Sequence, residues 1–82
     1  MNIQLINGKF PTKEALDMIT QMIHVKIRYH ENKIDPNTSE EDIKSREKRI
    51  KELQKDLFDL RKQIEANEKA IDIRSEIKLG IS

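Results

Sequence analysis

IKSREKRIKELQKDLFDLRKQIEANEKAI, residues 43–71, places Ile43, Ile50, Leu57, Ile64 and Ile71 seven residues apart, with Leu53 and Leu60 at the alternate positions between them. A seven-residue spacing keeps one apolar stripe of a helix facing one partner, the pattern of a coiled-coil seam. The seam read here is Ile43, Ile50, Leu53, Leu57, Leu60 and Ile64, on a helix predicted over residues 39–70, about 48 Å long at 1.5 Å per residue. Arg46 and Asn67 stand where the heptad would place apolar residues, and polar groups there set register or mark where a seam ends.

Working back from that helix, Pro36 lacks an amide proton and disfavours helical geometry at Asp35, so Asp35-Pro36-Asn37 reads as a turn within residues 34–38. Ser39 with Asp42, or Thr38 with Glu41, offers a cap for the second helix, and Glu40, Glu41 and Asp42 complement its dipole. Before the turn, a first helix over residues 12–33 takes Thr12 as N-cap. It carries Leu16, Ile19, Ile23, Ile27, His30 and Ile34 on one stripe. Met18, Met22, Val25 and Tyr29 form a second stripe beside the first. One neighbouring helix covers only one stripe, so the second is the candidate interface.

The ends of the chain change period. Met1, Ile3 and Leu5 alternate with Asn2 and Gln4, predicting a strand over residues 2–6 before Asn7-Gly8, which reads as a turn. Ile71, Ile73, Ser75, Ile77, Leu79 and Ile81 alternate with Asp72, Arg74, Glu76, Lys78 and Gly80, predicting a strand over residues 71–81 with one apolar face. The fold class expected is mainly α: one domain, residues 1–82, in which an antiparallel two-helix hairpin is flanked by short terminal strands that pair at one end. An isolated two-stranded sheet is marginal, and dimerisation is expected to complete the fold. Phe58 lies outside the seam, and either the tail strand covers it, the expected arrangement, or it marks a contact surface.

Composition narrows function. Of 82 residues 38% are charged and 35% hydrophobic, which limits the chain to one layer of packing and favours self-association. Sixteen basic and fifteen acidic side chains give a net charge of +1, so nucleic-acid binding is not expected from bulk charge. No cysteine is present, which excludes disulfides and thiolate chemistry. The N-terminus reads as neither a signal peptide nor a membrane span, and a cytoplasmic location is expected.

No catalytic, cofactor-binding or metal-ligating residue is assigned. His24 and His30 lie about 120° apart around one helix, so they share no site. Glu52, Asp56 and Asp59 share a helical face but flank the seam, away from any inward metal cage. The two glycines are too few for a phosphate loop, and Ser, His and acid form no nucleophile system. A non-enzymatic scaffold or protein-interaction module follows, its partners being a second copy, most simply in a dimer, and a further protein.

The order strand, helix, helix resembles the ribbon-helix-helix DNA-binding regulators, whose paired N-terminal strands enter the major groove. That resemblance implies that Asn2 and Gln4 point outward to read bases. Both helices here exceed the lengths of that fold, no basic residue precedes Lys9, and the C-terminal strand is additional.

Overall fold

The computed structural model describes residues 1–66 and 69–81. The chain is mainly α, with the order β1 (Asn2–Phe10), α1 (Thr12–Asn32), α2 (Glu40–Glu65) and β2 (Ile71–Lys78). β1 and β2 form an antiparallel two-stranded sheet in which Phe10 lies opposite Ile71 at the helix end and Asn2 opposite Lys78 at the far end. The helices pack on each other, and α1 also touches β2. No helix among the described residues is long and apolar enough to cross a membrane.

β1 runs to Phe10, beyond the residues 2–6 that local alternation predicts, and Asn7-Gly8 lies inside the strand. Pairing with β2 overrides the local turn signal: Asn7 stands opposite Arg74 and Gly8 opposite Ile73. Leu5 is an extra residue, since Gln4 faces Glu76 while Ile6 already faces Ser75. This bulge changes the parity of β1. Leu5 therefore leaves the face of Ile3, and Ile6, Gly8 and Phe10 join it, each half-buried. Gly8 adopts φ of 156°, a conformation L side chains rarely take. A Cβ there would meet only the Phe10 ring, at 3.8 Å, so the obstacle is the backbone. Gly8→Ala is expected to lower stability by about 1–2 kcal/mol, read as a shift in the denaturation midpoint at unchanged m-value.

The predicted Thr12 N-cap is replaced. Pro11 occupies that position and its carbonyl accepts from Ala15 N at 2.9 Å. The Thr12 hydroxyl instead donates to the Lys69 carbonyl at 2.9 Å, tying the start of α1 to the approach to β2. At the turn, Asp35 Oδ1 accepts from Asn37 N at 2.7 Å, and Thr38 Oγ1 accepts from Asp35 N at 3.0 Å. Ser39 then caps α2 by accepting from Asp42 N at 3.2 Å, the first of the two predicted arrangements.

α2 ends at Glu65, five residues short of the predicted Ala70. Ile71 must stand opposite Phe10, only two residues before α1 begins, so the chain has to leave the helix before it reaches Ile71. The heptad continues past the helix as sequence, but Ile71 belongs to the sheet. Asn67, the second polar heptad position, lies outside the described residues. β2 ends at Lys78 rather than at residue 81, although the ladder continues one step: Leu79 N donates to the Met1 carbonyl at 2.8 Å, and the Met1 amine to the Leu79 carbonyl at 3.0 Å.

The core is thin. Among the described residues Ala15, Ile27, Leu53, Leu57, Ile64 and Ile73 are buried. The Cα extents are 47 × 33 × 13 Å, the shortest well under half of either of the others. The radius of gyration, 15.6 Å, exceeds the roughly 12 Å of a compact domain of this length.

Candidate interaction surface

A single layer leaves its apolar residues uncovered, and three groups of them stand out. On α1, Met18 is half-buried while Met22, Val25 and Tyr29, at successive three- and four-residue steps, are 37%, 63% and 50% exposed. Lys26 and Lys33 place their ammonium groups 4.9 and 5.7 Å from the Tyr29 ring centre, and His30 meets the ring edge-on at 5.5 Å. Tyr29 thus offers an apolar body rimmed by cations.

The predicted seam residues are unequally covered. Leu53, Leu57 and Ile64 are buried, whereas Ile43, Ile50 and Leu60 are half-buried. A groove of about 550 Å³ opens between the helices, lined by Ile27, Leu57, His24, Arg28, Phe58 and Arg61 among others. Phe58 is exposed in it, not covered by the tail strand as predicted, and Lys62 Nζ lies 4.4 Å from its ring centre. β2 runs beside Ile19, Leu60 and Ile64 near the helix end of the sheet, which leaves Phe58 to the groove.

The third group is the far end of the strand ribbon, where Met1, Ile3, Leu5, Ile77 and Leu79 are all exposed. Sequence alternation predicts an apolar face for these residues, whereas Ile19, Leu60 and Ile64 of the helices lie beside residues 71–74 at the other end of β2.

The polar features are sparse. Arg46, at its heptad position, places Nη1 3.2 Å from His30 Nδ1. Arginine can only donate, so Nδ1 accepts and the imidazole is neutral with its proton on Nε2. Desolvation holds the His30 pKa below its usual 6.5, and the charges of Lys26, Arg46 and Arg49 lower it further. The unfolded chain therefore binds more protons than the native one once pH drops below about 6.5. Stability is expected to fall as pH falls through that value and to level off below the native pKa. Denaturation midpoints at pH 7.5 and 5.5 read this, and His30→Gln should flatten the difference.

Glu52, Asp56 and Asp59 are exposed, with Glu52 paired to Arg49 at 3.1 Å. Among the described residues no group of three or more His, Cys, Asp or Glu is placed to hold a metal ion. Comparison with protein-family models, curated proteins and solved structures finds no match to this chain.

Proposed function

We propose that the protein is a non-enzymatic, self-associating scaffold: an antiparallel helical hairpin with a coiled-coil-like second helix and paired terminal strands, completed by dimerisation, which presents a surface to another protein. The observation that carries this reading is the amount of surface left open. The chain exposes 6901 Å², whereas a compact monomer of 9.7 kDa exposes about 5,100 Å². The excess, about 1,800 Å² per chain, is of the size that each partner buries in an obligate dimer. Met22 and Tyr29 supply residue types that such interfaces favour, an adaptable and a rigid apolar body.

A DNA-reading ribbon draws less support from the same surface. Asn2 and Gln4 stand opposite Lys78 and Glu76 on the charged face, where Asp72 and Glu76 counter the cations of Lys9, Arg74 and Lys78. Phosphate contact needs an uncompensated basic surface. Light scattering coupled to size exclusion at tens of micromolar tests the proposal. A dimer or larger assembly is expected, and a cooperative, well-folded monomer overturns it.

A further inference from the structure

β2 carries Asp72-Ile73-Arg74-Ser75-Glu76-Ile77-Lys78, a segment that is complementary to its own reversal. Placed antiparallel to a second copy with Ser75 opposite Ser75, it sets Arg74 against Glu76, Asp72 against Lys78, Ile73 against Ile77 and Ile71 against Leu79. Every charge then faces its opposite and every apolar residue faces another, the cross-strand arrangement that stabilises antiparallel sheets. Centring the pairing on Arg74 opposes Asp72 to Glu76, and centring it on Glu76 opposes Arg74 to Lys78. Centring on Ile73 or Ile77 keeps opposite signs but halves the number of charge pairs. A shift that opposes odd to even residues turns the apolar face over.

The backbone is arranged for the same pairing. Among the described residues the sheet has two strands, so the outer edge of β2 has no strand beside it. Leu79 exchanges both of its backbone bonds with Met1, so by alternation the odd residues of β2 turn their amides and carbonyls toward β1 and the even ones toward the outer edge. Arg74 and Glu76 would exchange those bonds across the join, leaving Ser75 in a closely spaced pair without them. The outer edge of β1 is unsuited to this role, because the Leu5 bulge and Gly8 interrupt it, as bulges commonly protect edges. β2 has eight regular residues and no bulge.

We propose that two copies of this chain join through their β2 edges, antiparallel and centred on Ser75, into one four-stranded sheet. The inference rests on the self-association proposed above and names its surface and register. The two-fold axis runs perpendicular to the sheet, so both apolar faces lie on the same side. Ile77 and Leu79, exposed at the ribbon end, then sit beside the second copy's Ile73 and Ile71, at its helix-covered end. Ile19, Leu60 and Ile64 of the helices lie beside the start of β2, so the helix pair of each copy stands next to the ribbon end of the other. The exposed Asp72–Arg74 contact within one chain, 3.5 Å, gives way to pairs between chains.

The chain has no cysteine, so single cysteines report the register directly. Ser75→Cys is expected to form an intermolecular disulfide readily under mild oxidation, since residues in closely spaced antiparallel pairs lie about 4.5 Å apart at Cα. Asn7→Cys, on β1, is expected not to. Arg74→Glu and Glu76→Arg, each alone, oppose like charges across the join and should weaken association at least tenfold. Mixing the two restores opposite pairs at both positions and should give a heterodimer. Failure of Ser75→Cys to cross-link above Asn7→Cys, or failure of the mixture to associate, overturns edge pairing. A wild-type dimer in that case leaves the self-association reading intact, whereas a wild-type monomer removes both.

Discussion

A chain ending at Ile71 is expected to melt more than 12 °C below the full-length protein, or to lose its cooperative transition altogether. The truncation removes all of β2 beyond its first residue, and with it the buried Ile73, worth about 1.5–3 kcal/mol on burial. It also strips β1 of its only partner strand among the described residues, and ladder bonds contribute roughly 0.5–1.5 kcal/mol each. A loss of about 3 kcal/mol or more corresponds to 12 °C or more, because one kcal/mol moves the melting temperature by roughly 4–8 °C in a domain of this size. Thermal circular dichroism measures it directly. An unchanged melting curve would mean that the helices stand alone and that the ribbon contributes nothing to their stability.

That dependence explains which parts of the fold were legible in the sequence. Helices and strands appear where period and burial agree: Leu57 and Ile64 of the seven-residue repeat are buried on α2, and Ile71 and Ile73 of the alternating tail are covered where β2 passes the helices. The turn at Pro36 and the Ser39 cap were readable because their causes are local, a missing amide proton and a hydroxyl three residues from an orphan amide.

The errors lie where a distant segment overrides a local preference. Asn7-Gly8 has the chemistry of a turn, yet Arg74 and Ile73 hold it extended from more than sixty residues away. Lys69 and Ala70 are good helix formers, but the pairing of Ile71 with Phe10 and the Thr12 bond to Lys69 draw the chain out of the helix earlier. The position of Phe58 beside the seam leaves open whether the tail strand covers it or it marks a contact surface, and the first, expected reading fails. Its exposure beside Arg28 and Arg61 depends on where β2 crosses the helix pair, which periodicity does not encode.

The stripe on α1 was legible as a surplus of apolar residues, and changing Met22→Ser and Tyr29→Lys together is expected to weaken self-association at least tenfold while the chain stays helical. Neither side chain is buried, at 37% and 50% exposure, so their replacement opens no cavity in the monomer. A truncated interface anchor commonly costs 2 kcal/mol or more in binding, and a factor of ten needs only about 1.4 kcal/mol. The new ammonium would join Lys26 and Lys33 beside the former ring, adding like-charge repulsion at that point. Light scattering against concentration reads the association, and far-ultraviolet circular dichroism reads the helices. Outright unfolding would show that the stripe supports the core of a single chain. A folded variant with undiminished association would assign the stripe to a different protein, leaving the strand edge alone to join the copies.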